Sequence, residues 1–216
     1  MQELLDPAKA HSTLLTWTPD HPIPRSVRNW GFCADFSNWL PGDLILVSAQ
    51  KPGFIQQSIR RIQAQGGYDT VHARWEHAAV YIGSSALCEA TRKGVVVSDI
   101  YHYIGQHLIR VRRNPTLNND QRWELAVNAL KLRSYRYGYR SILTLLWKSQ
   151  FSGYWGTRTF TYPQRTRICS ELYADAHTKA SNGIILGNIT SGEITPASLS
   201  MEKKLIDVKT KWVKII

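Results

Sequence analysis

The sequence predicts a mixed fold of strands and helices, of the α+β class, and three observations point to it. His77 to Gly83 and Ala86 to Ala90 are two apolar runs joined by Gly83-Ser84-Ser85, a hairpin signal. Gly94 to Ser98 follows with a valine run and makes a third strand. Stretches at helical spacing stand on either side, at 53–65, 119–133 and 169–180.

The remaining elements follow in chain order. Residues 1–40 hold Pro7, Pro19, Pro22 and Pro24 together with Trp17, Trp30 and Trp39. They read as an irregular N-terminal extension that its tryptophans fasten to the core. Pro41-Gly42-Asp43 is turn chemistry, and Leu44 to Val47 after it is a short buried strand. The helix at 53–65 carries its apolar residues at Phe54, Ile55, Ile59 and Ile62, with Arg60 and Arg61 on a basic face, and Gly66-Gly67 ends it. Leu108 to Val111 adds a strand. Asn119 or Asp120 caps the next helix, and after Tyr135 to Arg140 a second short helix covers 141–148. An aromatic and arginine-rich loop at 153–166 delivers the chain to Cys169. Thr195-Pro196 opens a short turn and Lys209 to Ile216 closes the chain as a strand. With no repeat and no low-complexity block, residues 41–216 read as one domain carrying the extension.

Composition narrows the class. Of the 216 residues 43% are apolar and 20% charged, too hydrophobic for disorder, and no apolar run nears the roughly 18 residues of a membrane span. Met-Gln-Glu-Leu-Leu-Asp at the start has neither a basic n-region nor an apolar h-region, so no Sec signal is expected. The expected compartment is the cytoplasm at synthesis, with a signal-independent secretion system as the route by which it would act in the periplasm. Three scattered cysteines, Cys33, Cys88 and Cys169, do not make a disulfide framework or a paired-cysteine zinc site. A formal charge of +11, from 27 basic and 16 acidic residues, favours an anionic partner by steering. Between Arg110 and Arg140 eight basic residues face only Asp120 and Glu124, with tyrosines interleaved. That run reads as a docking surface for an anionic substrate or membrane; it matches no nucleic-acid module, and no nucleic acid is expected.

The chemistry centres on Arg167-Ile168-Cys169-Ser170-Glu171-Leu172-Tyr173. Cys169 opens a helix, where the macrodipole favours thiolate over thiol and free backbone N–H groups can receive an oxyanion. A lone cysteine is usually a small buried hydrophobe, and Cys33 and Cys88 fit that description. His77, at the start of its strand, is the candidate base. With the turn centred on Ser84-Ser85, His77 lies opposite residue 91 or 92, which puts Glu89 at a diagonal neighbour's distance to orient the imidazole. His72, His77, Cys88 and Glu89 are also zinc-competent, but their spacing matches no compact zinc pattern, so no metal or other cofactor is expected.

At these residues the chain resembles the circularly permuted branch of the papain-like NlpC superfamily of cysteine hydrolases. The resemblance rests on Pro-Gly-Asp-Leu-Ile-Leu at 41–46, His-Ala-Ala-Val-Tyr-Ile-Gly at 77–83, Cys-Glu-Ala-Thr-Arg-Lys-Gly-Val at 88–95 and Cys-Ser-Glu-Leu-Tyr at 169–173. Thr-Pro-Ala-Ser-Leu at 195–199 is similar to a family tail. As in that branch, the histidine strand precedes the cysteine helix. The resemblance implies a permuted papain-like α+β core whose antiparallel sheet packs against the cysteine helix. It implies Cys169 as nucleophile, His77 as base and Glu89 as orienting residue. Tyr81, Ser170 and Tyr162 are the candidate substrate-binding residues.

The activity expected is thiol hydrolysis of an amide bond in bacterial peptidoglycan peptide, by an intracellular recycling enzyme or by a secreted antibacterial toxin with an immunity or inhibitor protein as partner. The alternatives are a lipid acyl hydrolase or acyltransferase, with 151–160 as its aromatic entrance, and a non-catalytic binding module on the same core.

Overall fold

The middle of the chain folds into a six-stranded antiparallel sheet in a computed structural model that describes residues 2–12, 16–18, 22–91, 93–132, 136–137, 166–167, 169–186 and 194–216. Its strands are β3 (Leu44–Ala49), β4 (His77–Gly83), β5 (Ala86–Thr91), β6 (Gly94–Asp99), β7 (His107–Arg113) and β10 (Ile206–Asp207), in the spatial order β10-β7-β3-β4-β5-β6. The helices are α1 (Arg25–Trp30), α2 (Phe54–Gln65), α3 (Thr70–Ala73), α4 (Asn119–Lys131), α5 (Cys169–Ala180) and α6 (Pro196–Met201). The architecture is α+β. The expected hairpin and cysteine helix stand where the sequence puts them. Asn118, not Asn119 or Asp120, caps α4: its side chain accepts from the Gln121 N–H while Gln121 reaches back, a reciprocal capping box.

The sheet is covered on both faces, which is why its strands read as apolar runs rather than as alternating patterns. Ala79 and Tyr81 of β4 and Leu87 of β5 join one cluster with Leu5, Val27, Trp39 and Trp212. Ala78 and Val80, with Cys88 and Ala90, join a second cluster with Leu125 and Ala129 of α4, Leu172, Tyr173 and Ala176 of α5 and Leu199 of α6.

The N-terminal extension is less irregular than its prolines suggest. It contributes β1 (Thr16–Trp17) and β2 (Phe32–Ala34) to a second sheet, where both pair with β11 (Trp212–Ile215) near the other end of the chain. Trp30 meets Trp212 edge to face at 5.0 Å, so aromatic contacts join the two ends of the chain. The helix expected at 141–148, the loop at 153–166 and the aromatic stretch 151–160 lie outside the described residues; Arg136–Tyr137 and Thr166–Arg167 form a short parallel pair, β8 and β9.

Two ion pairs hold the central strands in register. Asp43, fully buried in the turn before β3, accepts from Arg113 Nε at 2.7 Å and Nη2 at 2.6 Å. Its neighbour Gly42 donates its N–H to the Tyr81 carbonyl, tying the turn to β4. Arg60 of α2 binds Glu76 and the Ala49 carbonyl, and Glu76 accepts the Ala49 N–H at 2.6 Å, so the residue before His77 is clamped to the end of β3. These contacts remove the first four basic residues, Arg110 to Arg122, from the run read as a docking surface; Lys131 is exposed, and the side chains of Arg133, Arg136 and Arg140 lie outside the described residues. Arg110, Arg112 and Arg122 are buried and Arg113 is paired; Arg110 grips Asp207, and Arg112 donates to carbonyls of Leu199 and Ser200 at the end of α6. Uncompensated burial of a guanidinium is prohibitive, so each arginine is spent on a specific acceptor.

Gly42 gives a test of this packing. Its φ is +85°, and a Cβ there would meet the Arg122 carbonyl oxygen at 2.9 Å; Gly67 has φ +91° with nothing within 4 Å. Gly67→Ala should cost about 1–2 kcal/mol in urea denaturation, the left-handed penalty alone. Gly42→Ala should cost clearly more, roughly 3 kcal/mol or above, because backbone meets backbone.

Candidate active site

His77 is the first residue of β4 and Cys169 the first of α5, and the two meet where the start of the strand reaches the start of the helix. Glu89 reaches them from β5. The observed register pairs Ala79 with Glu89, which sets Glu89 diagonal to His77. Nε2 of His77 lies 2.5 Å from Oε2 of Glu89. A carboxylate can only accept, so Nε2 donates, and Nδ1 is the ring nitrogen left for the hydrogen bond that His77 makes with the Cys169 side chain. The sequence therefore names the three residues that the structure brings together.

Glu89 is the deepest member of the group, 4% exposed, and a charge so placed requires donors. Besides His77 it accepts from the Ser98 hydroxyl at Oε1 and from the Tyr103 hydroxyl at Oε2, the latter at 2.6 Å. Ser98 stands on β6 opposite Leu87, one diagonal step from Glu89. Tyr103 closes the turn between β6 and β7, its ring 6.1 Å from that of His77 and edge-on to His107 at 5.2 Å. Neither residue is marked by the spacing of the sequence. The signal that would find them is the need of a buried carboxylate for partners.

The charges follow from these contacts. Burial pushes the Glu89 carboxyl up, but the His77 hydrogen bond and charge, then Ser98 and Tyr103, outweigh it and hold the group down at about 2. Burial pushes the His77 imidazole down, and hydrogen bonds to Cys169 and Glu89 with their charges reverse this and raise it to about 10. The Tyr103 phenol is raised by burial and by the Glu89 charge, so it stays a donor.

The three proposed substrate contacts fare differently. Tyr81 lies four residues along β4 from His77, roughly 13 Å at strand rise. Its ring packs against Trp39 in the core, so it is not brought to the site. Ser170 is fully buried and donates to the Ile194 carbonyl, which ties the start of α5 to the approach to α6 and leaves no hydroxyl for a substrate. Tyr162 lies outside the described residues. Of the zinc-competent residues, His72 binds Ser200 Oγ at 2.8 Å and Cys88 faces the second cluster, opposite to Glu89. No group of three His, Cys, Asp or Glu that could hold a metal occurs among the described residues. Among the same residues no helix is long and apolar enough to cross a membrane.

Chemically, the trio offers a thiol, an imidazole hydrogen-bonded to it and a carboxylate that fixes the imidazole. Compared with models of known protein families and with curated protein sequences, the chain matches none.

The pair of shifts predicts a pH window for stability. His77, raised from 6.5 to about 10, contributes fully below pH 6.5 and loses the contribution as pH rises through 10. Glu89, lowered from 4.5 to about 2, contributes fully above pH 4.5 and loses it as pH falls through 2. The deficit of Glu89→Gln relative to the wild type should therefore be largest between these two ordinary values, 4.5 and 6.5, and shrink on either side. Urea midpoints across the pH range check this; a flat deficit would contradict it.

Proposed function

We propose that the protein is a cysteine hydrolase on a permuted papain-like core that cleaves an amide bond in bacterial peptidoglycan peptide. The observation that carries the reading is His77 hydrogen-bonded to both Cys169 and Glu89, its Nε2 committed to the carboxylate. Three further points support it. The histidine strand precedes the cysteine helix, as in the permuted NlpC branch that the motifs at 41–46, 77–83, 88–95 and 169–173 resemble. Cys169 begins a twelve-residue helix, whose first N–H groups lack carbonyl partners within it. The overall charge of +11 favours an acidic polymer by steering.

In this mechanism His77 already holds the proton given up by Cys169, and the sulfur attacks the carbonyl carbon of the amide. The carbonyl oxygen takes the negative charge, and N–H groups at the start of α5 are the donors placed to receive it. The intermediate collapses as the C–N bond breaks, the leaving nitrogen taking the proton from His77. A thioester on Cys169 remains. Water, losing a proton to His77, attacks that thioester and releases the carboxylic acid, and His77 keeps the proton beside the freed sulfur. Glu89 stays ionised throughout and keeps the imidazole oriented.

Incubating purified peptidoglycan with the wild type should release new fragments detectable by mass spectrometry, and folded Cys169→Ala should release none. His77→Ala should slow release by about 10²–10⁴-fold. Fatty acid released from phospholipid vesicles, with peptidoglycan untouched, would replace this reading with a lipid acyl hydrolase.

A further inference from the structure

Glu89 is shared. Its Oε2 receives both His77 Nε2 and the Tyr103 hydroxyl, while Oε1 receives Ser98. A carboxylate oxygen that already accepts a hydroxyl proton is a weaker base toward a second donor, because its lone-pair density is divided. Tyr103 is built to make that division permanent. Its main chain is fixed on both sides, its N–H donating to the Ile100 carbonyl at 2.9 Å and its carbonyl accepting from His107 at 3.2 Å. Its ring is held between the imidazoles of His77 and His107.

We propose that Tyr103 is a positioning residue of the site, which with Ser98 divides the Glu89 carboxylate so that His77 is oriented while its proton stays transferable. The inference rests on the Cys169–His77–Glu89 reading above. The chemistry requires His77 to hand its proton to the leaving nitrogen and then to accept one from water. An imidazole facing an undivided buried carboxylate would release that proton poorly. Two hydroxyl donors on the carboxylate temper the attraction and leave Nδ1 toward Cys169 in place. Ionisable groups facing His77 are Glu89 from β5, Cys169 from α5, Tyr103 from the turn after β6 and His107 at the start of β7.

The sign separates this role from a merely structural one. Removing the Tyr103 hydroxyl returns lone-pair density to Glu89, so Tyr103→Phe should raise the pH midpoint of His77 by about one unit. A structural tyrosine whose loss merely loosens the contact would lower it. The test is ¹⁵N NMR titration of His77 in the full-length protein, for the wild type, Tyr103→Phe and Ser98→Ala. Both variants are expected to move His77 upward and to lower kcat about tenfold with KM little changed, the pattern of a lost transition-state contribution. A midpoint that stays or falls in the folded variants would overturn the proposal, and Ser98→Ala supplies the answer if Tyr103→Phe does not fold. The titration needs no substrate, so failure to hydrolyse peptidoglycan leaves it decisive. Hydrolysis with an unmoved His77 would remove this inference alone.

Discussion

A carboxylate kept charged in the interior is the constraint on which the site depends. Glu89 is nearly inaccessible to water, and burying such a charge without partners costs several kcal/mol. Its three donors come from three different strands or turns: His77 from β4, Ser98 from β6 and Tyr103 from the turn beyond it. The ladder β4-β5-β6 must therefore be in register for the charge to be tolerated. A one-residue slip of β5 would send Glu89 to the opposite face, among Leu125 and Leu172, and bring Cys88 to the donors. The same contacts that make the carboxylate tolerable also hold His77 in one orientation.

Around that ladder the fold supplies stiffness. Arg60 and Glu76 clamp the chain one residue before His77, and Asp43 with Arg113 pins the turn that feeds β3. On the helical side, Ser170 ties the first turn of α5 to Ile194, and Leu172, Tyr173 and Ala176 bury the helix against the even-numbered residues of β4. Cys169 is thus delivered from one layer and His77 from the other. Each is the first residue of its element, where side chains of neighbouring layers can meet.

Much of this was legible in the sequence because it is local. Gly83-Ser84-Ser85 announces a hairpin, Ser84 and Ser85 indeed adopting positive φ, and a hairpin's turn fixes its register and so the diagonal placing of Glu89. The cysteine helix from 169 to 180 has helical spacing and no breaker. Less legible was whatever depends on distant partners. Arg110 and Arg112 look like a solvated charge run until β10 and α6 return beside them to supply acceptors. Tyr81 has the right chemistry for a substrate contact, but its neighbours Trp39 and the N-terminal extension make it core. Ser170 follows the nucleophile candidate and is spent on a carbonyl 24 residues away. Tyr103 carries no spacing signal because its link to Glu89 runs through a turn and a strand.

Selective alkylation tests whether Cys169 is a nucleophile prepared by His77. The native protein would be treated with limiting iodoacetamide and the modified residue located by mass spectrometry. Cys33 and Cys88 are fully buried in the two apolar clusters; Cys169 borders the second of them, is 6% exposed and sits against an imidazole. Label is expected on Cys169 alone, at a rate that drops about tenfold or more in folded His77→Ala. Label on no cysteine until denaturation, or a Cys169 rate indifferent to His77, would contradict it.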